Sequence, residues 1–502
     1  MSSRKFNEYK GLDLPQLGRE VLEVWDRENT FGRSITEREG APAFIFYEGP
    51  PSANGLPGIH HVLSRTIKDT ICRYKTQQGY LVRRKAGWDT HGLPVELGVE
   101  KKLGITKEDI GHKISIEEYN RTCREAVMEF TGVWEELTRK MGYWVDMKHP
   151  YITYENKYIE TLWWMLKQLF DKGLLYKGYT IQPYSPAAGT GLSNHELNQP
   201  GCYRDVKDTT CTAQFEIIRD ERSEFLFDDA QGTLYFLAWT TTPWTLPSNT
   251  ALAVGDNIEY VRVKCLNPYT QQPQTVILAK ELLPAYFTPK MEGTYSIGER
   301  IYKGSELVGI RYRQLIDWVK PMGDAFRVIS GDYVTTVDGT GIVHIAPTFG
   351  ADDDRVGKQA GIVPMYVVDR AGKNQPMVDR RGRLFRIEDM DPDFVAKYVD
   401  AERYREWAGR FVKNAYDPSL GPDDPTLDID IAVMLKGEGK AFKIEKHTHS
   451  YPHCWRTDKP VLYYPLDSWF IRTTALRERL MELNDTIDWK PASTGTGRFG
   501  KW

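Results

Sequence analysis

Long apolar segments are missing from this sequence. Its 502 residues contain no run of about 18 apolar residues, which is roughly the length needed to cross a membrane. The N-terminal residues lack the apolar core of a secretory signal peptide. Cysteines number six and are irregularly spaced, unlike those of a disulfide-linked secreted scaffold. We therefore expect a cytoplasmic protein that is neither exported nor inserted in a membrane.

An excess of one charge sign is also missing. Lysine and arginine number 66 against 69 aspartates and glutamates, which gives a formal net charge of −3. Any nucleic-acid surface must therefore be a local patch and cannot come from bulk positive charge. Hydrophobic residues make up 41% and charged residues 27%, as is usual for a globular chain. The length predicts about three domains.

The stretch Phe44–Tyr74 combines a short apolar run, a loop rich in glycine and proline, and a helical pattern. The run Phe44–Tyr47 predicts a buried strand, and the apolar residues that recur every three or four positions after His61 predict a helix. The N–H groups at a helix start bind anions, and His60 and His61 can donate hydrogen bonds to phosphate oxygens. This pattern indicates a nucleotide phosphate site; the alternative is a tight turn with two surface histidines.

A second strand is predicted at Tyr80–Val82, which would complete a βαβ unit. The loop after it, residues 87–92, would then lie at the same sheet edge as the first loop. Asp89 in this loop is a candidate ligand-binding residue. The more ordinary interpretation is an aspartate that stabilises a turn beside glycine.

Other patterns divide the chain into helical and β-rich parts. Helical spacing covers Leu14–Asn29 and much of Ile116–Leu175. The aromatic residues of the second region are predicted to lie in a core; they are Trp134, Trp144, Trp163, Trp164 and Phe170. Alternating runs at Thr212–Ile218, Leu234–Trp239 and Tyr260–Val263 predict strands.

Five segments resemble, in order along the chain, motifs of class I aminoacyl-tRNA synthetases. They read GPPSANG at 49–55, GWDTHGLPVE at 87–96, TTTPWTLPSN at 240–249, GTGIVHIAPTFGADD at 339–353 and HSYPHCWR at 449–456. The first two are similar to the isoleucyl-tRNA synthetase family. That family's usual His-x-Gly-His signature is matched by Gly58-Ile59-His60-His61. The last histidine is kept, while glycine replaces the first histidine and His60 replaces the glycine.

The resemblance implies an α/β fold, with a Rossmann-like parallel-sheet nucleotide-binding domain interrupted by a β-rich inserted editing domain. Residues 1–200 would form the first half of the catalytic domain and residues 201–410 the editing domain. Residues 411–502 would form a linker and the return to the catalytic domain. The family's second signature, Lys-Met-Ser-Lys-Ser, does not occur in the sequence. We therefore expect a chain truncated before that signature and incompetent by itself for full aminoacylation.

The resemblance also implies a function, that of an isoleucine–tRNA ligase. Such an enzyme activates isoleucine with ATP, which brings Mg²⁺, and transfers the product to tRNA(Ile); we expect a monomer. His60 and His61 would be the catalytic donors, and Asp89 would hold the ammonium group of the amino acid. The implied ATP-binding residues are Gly49, Pro50, Asn54, Gly55, Gly58, His60 and His61. The implied amino-acid-binding residues are Gly49, Pro50 and Asp89.

A second, hydrolytic site is implied by the similarity between isoleucine and valine. They differ by one methylene group, and this pair is the standard example of how poorly one apolar pocket rejects a smaller substrate. The implied editing residues for Val-tRNA(Ile) are Thr240, Thr241, Thr242, His344 and Asp353. The ordinary interpretations are a β-strand for the threonines, a solvated loop for Asp352–Asp354, and a structural role for a buried histidine.

The segment His447–Cys454 is rich in residue types that bind metals. Some relatives in the family hold zinc with paired Cys-x-x-Cys motifs, whereas the matching positions here carry Ser185, Ala188 and Thr457 beside a retained Cys454. The local cluster of possible zinc ligands consists of His447, His449, His453 and Cys454. We expect no zinc and no protein-bound metal.

Two rival functions stay open from the sequence. The altered signature would suit a paralogue that binds tRNA or regulates without activating an amino acid. The absence of the second signature would suit a free-standing hydrolase that clears mischarged tRNA.

Overall fold

The computed structural model describes residues 11–47, 49–288, 291–421 and 424–501. The chain forms two compact units. The first runs to Tyr176 and resumes at Ile471, and the second comprises Lys177–Phe470. Glu48, which belongs to the predicted nucleotide-binding stretch, lies outside the described residues. The predicted domain boundaries after residues 200 and 410 stay predictions.

The first unit is mainly helical. Its elements before Tyr176 are α1 (Leu14–Arg27), α2 (Thr30–Thr36), α3 (Ile59–Gln77), β1 (Lys85–Trp88), α4 (Leu93–Leu103), α5 (Ile116–Val127), α6 (Thr131–Lys140), β2 (Asp146–Ile152) and α7 (Asn156–Asp171). Strands β1 and β2 pair in parallel, with Lys85 opposite Asp146 and Trp88 opposite Ile152. The predicted first helix is confirmed as α1, where Asp13 caps the N-terminus by accepting from the Gln16 N–H at 2.9 Å.

The strands predicted around the first signature are wrong. Ala43 forms a single parallel bridge with Leu81, and the residues after each of them are not strand. Ile45 is 72% exposed and Tyr47 is 90% exposed. A short apolar run does not show whether a partner strand is present, and the true strand begins four residues after Leu81, at Lys85.

The helix predicted after His61 is confirmed as α3, but its apolar face is not buried. Leu63, Ile67 and Tyr74 are more than half exposed, whereas Cys72 is buried. Of the aromatic residues predicted as core, Trp134 is buried, Trp144 is half-buried, and Trp163, Trp164 and Phe170 are exposed. Helical spacing identifies an apolar face but does not show that another element covers it.

The second unit holds most of the β-structure. The strands from Leu175 onward are β3 (Leu175–Ser185), β4 (Thr190–Gly191), β5 (Tyr203–Glu216), β6 (Thr233–Thr240), β7 (Ala251–Val254), β8 (Glu259–Leu266), β9 (Pro273–Ala279), β10 (Ser296–Lys303), β11 (Arg327–Ser330), β12 (Ile342–Ile345), β13 (Tyr366–Val368), β14 (Asn374–Pro376), β15 (Ala441–Pro452) and β16 (Leu462–Ile471). The helices are α8 (Asn194–Leu197), α9 (Leu283–Tyr286), α10 (Gly304–Leu307), α11 (Ala351–Ala360), α12 (Pro392–Tyr398), α13 (Ala401–Tyr404) and α14 (Leu427–Gly437). After Ile471, the first unit resumes with α15 (Arg477–Asp485).

The largest sheet has the strand order β10–β8–β9–β6–β5–β15, and a smaller one has the order β11–β7–β12. The three strands predicted from alternation are confirmed as parts of β5, β6 and β8, except that β5 ends at Glu216, two residues before the predicted end at Ile218. Their inward side chains, which include Phe215, Phe236 and Tyr260, are fully buried in one large core. The chain is therefore mixed α/β, with a parallel strand pair and β-rich sheets. Within the described residues, no helix is long and apolar enough to cross a membrane.

Two candidate functional sites

The first candidate site is built at the start of α3. The Gly58 N–H donates to Nδ1 of His61 at 2.9 Å, so His61 satisfies one of the backbone donors that a helix start leaves free. Because Nδ1 accepts this hydrogen bond, the proton of the neutral ring lies on Nε2. Burial lowers the pKa of His61, and the neighbouring His60 and Arg65 lower it further. His61 can therefore offer a ligand a neutral Nε2–H donor.

The ring of His60 lies close to the Cα atom of Gly58. The imidazole rings of His60 and His61 lie 3.8 Å apart between centroids, and His60 is exposed. A Cβ atom on Gly58 would lie 2.8 Å from Cε1 of His60. The φ angle of Gly58 is −100°, which any residue can adopt. Any other residue at position 58 would therefore displace the exposed His60 ring, whereas the backbone itself does not require glycine.

Trp134 holds the glycine- and proline-rich loop against α6. Its indole Nε1 donates to the Gly55 carbonyl at 2.9 Å, and the Phe130 N–H donates to the Ala53 carbonyl at 3.1 Å. The ring of His61 meets Trp134 edge to face at 4.7 Å between centroids. The buried residue Trp134 therefore fixes both the loop and the helix start.

Asp89 follows the carboxyl end of β1 and lies beside the same loop. Its backbone N–H donates to the Pro51 carbonyl at 3.0 Å, and its side chain is half-buried. The structure thus brings Asp89 to the predicted nucleotide-binding loop. Gly49 and Asn54 are exposed in that loop, and Pro50 and Gly55 are half-buried. The roles of these residues stay predictions.

The second candidate site is a cavity of about 330 Å³ in the second unit, and all five predicted editing residues line it. Thr240 ends β6, where it pairs with Cys211 of β5. His344 lies in β12 opposite Leu252 of β7. Asp353 lies in the first turn of α11. The structure therefore gathers three separate segments around one space, although their catalytic role stays a prediction.

Asp353 is held from two sides. Its Oδ2 accepts from the Ala346 N–H at 2.9 Å, and its Oδ1 accepts from the Tyr333 hydroxyl at 3.1 Å. Burial raises the pKa of Asp353 to about 6, although the two hydrogen bonds oppose this change. A carboxylate has about four acceptor positions, so an ammonium group in the cavity can still pair with it. Asp352 and Asp354 instead form ion pairs with Arg355 and Lys358.

His344 belongs to a directional chain of hydrogen bonds. The Asn249 amide nitrogen donates to the Ala251 carbonyl at 2.8 Å and also lies 3.3 Å from Nδ1 of His344. Nδ1 must therefore accept, and Nε2 carries the proton that it donates to Thr245 Oγ1 at 2.9 Å. Thr245 then donates its own proton to the Thr242 carbonyl at 2.8 Å. Burial lowers the pKa of His344 to about 4, so the ring is neutral at physiological pH.

The threonine run turns away from the sheet at the cavity. The Thr242 N–H donates to Thr240 Oγ1 at 3.1 Å, and the hydroxyls of these two residues lie 3.4 Å apart. Thr241 and Thr242 follow β6 and are half-buried. Of the three threonines, only Thr240 is therefore explained as an ordinary strand residue.

Two glycines, Gly339 and Gly341, form part of the cavity wall. Gly339 and Gly341 have φ angles of +72° and +71°, which side chains other than glycine adopt at a cost. A Cβ atom on Gly341 would lie 2.4 Å from the Cβ atom of Ala279. Between them, the Thr340 carbonyl accepts from the Ala279 N–H at 2.8 Å. The wall thus approaches the end of β9 more closely than any side chain at Gly341 would permit.

Sequence reasoning missed four residues of this site: Tyr333, Thr245, Asn249 and Tyr312. Thr245 and Asn249 lie within the quoted segment TTTPWTLPSN, so their motif was a signal. The Tyr312 hydroxyl donates to Asn249 Oδ1 at 2.7 Å. Tyr312 lies 63 residues from Asn249 along the chain, and no sequence pattern links the two.

The histidines considered as zinc ligands have other contacts. His449 Nε2 lies 3.2 Å from Asp208 Oδ2, and His453 Nδ1 lies 3.0 Å from the Tyr451 carbonyl. Cys454 is fully buried. Over the part of the chain that the structure describes, no group of three or more His, Cys, Asp or Glu side chains could hold a metal ion.

Comparisons with known proteins cover both sites. A model of "tRNA synthetases class I (I, L, M and V)" matches residues 20–502. The chain belongs to this family. It is 65% identical to an isoleucine–tRNA ligase of Bacteroides fragilis, over 100% of the chain and 44% of the relative. It is 64% identical to one of Porphyromonas gingivalis, over 100% and 45%, and 58% identical to one of Cytophaga hutchinsonii, over 99% and 45%.

This class I synthetase chain spans less than half the length of those relatives. The matched residues include the helix start at Gly58–His61, Asp89 and the lining of the cavity.

Proposed function

We propose that this chain supplies the amino-acid-activating and proofreading parts of an isoleucine–tRNA ligase. The observation that carries the proposal is the 65% identity, over the whole chain, to a relative of that name. We further infer a Rossmann-like catalytic domain that includes the first unit, and an inserted editing domain that lies within the second unit. The approximate domains are 1–200, 201–410 and 411–502.

The activation step joins the carboxylate of isoleucine to the α-phosphorus of ATP and releases pyrophosphate. Negative charge develops on the phosphoryl oxygens, so the site needs positioned donors. In our proposal, Nε2–H of His61 and the exposed ring of His60 supply them. Asp89 pairs with the ammonium group of isoleucine. Mg²⁺ arrives as part of the MgATP substrate and neutralises phosphate charge.

The proofreading step hydrolyses the ester of valine with the terminal ribose of tRNA(Ile). Asp353 would hold the free ammonium group, and the hydroxyls of Thr240 and Thr242 would orient a water molecule beside the ester carbonyl. The water attacks the carbonyl carbon, and the ribose oxygen leaves with a proton. His344 cannot be a free general base, because both of its ring nitrogens are engaged in hydrogen bonds. Its proposed role is to fix the turn that carries Thr242.

Two assays on the full-length protein test the proposal. We expect isoleucine-dependent ATP–pyrophosphate exchange and hydrolysis of Val-tRNA(Ile). A protein that shows neither activity but binds tRNA would be the non-activating paralogue. A protein that shows only hydrolysis would be the free-standing hydrolase. Either result would contradict the proposal.

A further inference from the structure

A cluster of buried charges in the second unit has no part in the mechanism above. Nζ of Lys413 donates to Asp208 Oδ2 at 3.1 Å and to Asp428 Oδ2 at 3.4 Å. His449 contacts the same oxygen of Asp208. Lys413 is 8% exposed and Asp428 is 1% exposed. Buried charges are costly even when they are paired, so the cluster invites a functional explanation.

The ammonium group of Lys413 is stabilised by its surroundings. Burial by itself would lower the pKa of Lys413, but Asp428, Tyr451 and Asp208 together raise it. Its Nζ also lies 5.0 Å from the centre of the Tyr451 ring, a favourable cation–π distance. Lys413 therefore stays charged and holds one oxygen of Asp428.

The other oxygen of Asp428 binds the backbone just after the threonine run Thr240–Thr242. Oδ1 accepts from the Trp244 N–H at 2.9 Å. Trp244 is the second residue of a short 3₁₀ helix, Pro243–Ser248, whose N-cap residue is Thr242. The first backbone N–H groups of a helix lack partners within it, and a threonine at the N-cap usually accepts from one of them. Here Thr242 makes no such hydrogen bond; a carboxylate from α14 takes its place.

Because Asp428 caps the helix, the Thr242 side chain stays available to the cavity. Its hydroxyl has long contacts, 3.4 Å to Thr240 Oγ1 and 3.5 Å to Thr245 Oγ1, and Thr242 lines the cavity. We propose that Asp428 is a positioning residue for hydrolysis: by capping the 3₁₀ helix in place of Thr242, it keeps the Thr242 hydroxyl free to act on substrate and water. The inference rests on the proposed proofreading function.

Two double variants of the full-length protein isolate the cap from the buried charge. Asp428→Leu with Lys413→Met removes both the ion pair and the acceptor for Trp244. Asp428→Asn with Lys413→Met also removes the ion pair but keeps an acceptor oxygen. Replacing both partners avoids leaving either one as a lone buried charge. Asp208 loses Lys413 in both variants and keeps its contact with His449, so its effect is the same in the two proteins. The two proteins then differ only at residue 428, where asparagine keeps the acceptor oxygen and adds an amide NH₂ group, and leucine has neither.

We expect the leucine variant to lose about tenfold to a hundredfold in kcat for hydrolysis of Val-tRNA(Ile), the range expected for losing one strong hydrogen bond. Its KM and its ATP–pyrophosphate exchange should be unchanged. The asparagine variant should stay within about threefold of wild type. Equal losses in the two variants would overturn the proposal. The control is Asp430→Asn on the same helix, where Asp430 pairs with Arg410 near the surface. This variant should hydrolyse Val-tRNA(Ile) with an unchanged kcat.

A second measurement does not depend on the variants or on activity. Backbone hydrogen exchange in the wild-type protein, followed with ¹⁵N-tryptophan labelling, should show a protected Trp244 amide. Rapid exchange at Trp244 would overturn the cap, even if the leucine variant failed to fold. If Trp244 is protected but wild type does not hydrolyse Val-tRNA(Ile), the proofreading function fails while the cap is supported.

Discussion

The imidazole Nε2 of His344 lies 2.9 Å from the hydroxyl oxygen of Thr245, and the contacts at the two ring nitrogens together decide where the ring proton lies. Because the Asn249 amide donates to Nδ1, the ring must be the neutral Nε2–H tautomer. With a pKa of about 4, it should keep that form down to about pH 5. Two-dimensional ¹H–¹⁵N spectra of histidine-labelled protein, assigned with His344→Gln, should show it. An Nδ1–H tautomer, or titration near pH 6.5, would contradict the chain of hydrogen bonds.

Tyr312→Phe should destabilise the second unit. The change leaves Oδ1 of the buried Asn249 without the hydroxyl donor that it now has at 2.7 Å. An unsatisfied buried acceptor costs about 1–3 kcal/mol of unfolding free energy, measurable by urea denaturation. Tyr302→Phe is the matched control, because the hydroxyl of the fully buried Tyr302 makes no hydrogen bond with the described residues. Equal effects of the two substitutions would contradict a specific role for Tyr312.

Hydrolysis of Val-tRNA(Ile) should decline in acid because Asp353 must be ionised to pair with an ammonium group. Its pKa is raised to about 6, so the carboxylate predominates above pH 6 and the neutral acid below it. At pH 5, about nine-tenths of the groups are protonated, and kcat/KM should be about tenfold lower than at pH 7. Asp353→Asn should be slow and should lack this acid limb. An unchanged acid limb in that variant would assign it to another group.

Asp89→Asn should weaken isoleucine binding while leaving ATP affinity nearly unchanged. A neutral amide cannot form an ion pair with the substrate's ammonium group, and charge-assisted hydrogen bonds are about twice as strong as neutral ones. Isothermal titration of the full-length protein with each substrate measures both effects. The control is Asp146→Asn, which alters an exposed contact with His149 in the same unit. Normal isoleucine affinity in the Asp89 variant would remove Asp89 from the site.

The altered signature Gly58-Ile59-His60-His61 should support adenylate formation without being restored to the usual motif. We expect His60→Ala and His61→Ala each to slow adenylate formation by about a hundred- to thousandfold, the usual effect of losing one transition-state donor. The double change Gly58→His with His60→Gly should not greatly improve exchange. A gain of about a hundredfold in the double variant, or a neutral His60→Ala, would show that the signature is damaged and that His60 does not compensate.

The sequence predicted local elements better than their surroundings. Helix α1, helix α3 and the alternating strands of the second unit follow from side-chain periodicity, which is a local property. Burial depends on distant partners, so the exposed faces of Leu63 and Trp163 could not be foreseen. The cavity residues were identified because their segments resemble motifs of a known family; their chemistry alone also allowed ordinary structural roles. Tyr312 and Asp428 could not be identified from the sequence. Each comes from a distant segment and contacts the site through one hydrogen bond, to Asn249 and to Trp244 respectively.

The close approach of Gly341 to Ala279 limits how the substrate range of the cavity can be changed in a library of variants. Every substitution at Gly341 meets the Ala279 Cβ atom at 2.4 Å, and at Gly339 and Gly341 alike it must adopt a left-handed backbone. Diversity introduced there would yield mostly unfolded clones. Thr335 and Val343 also line the cavity, and neither is among the residues with a positive φ angle. Selections for altered amino-acid rejection should draw their productive members from these two positions.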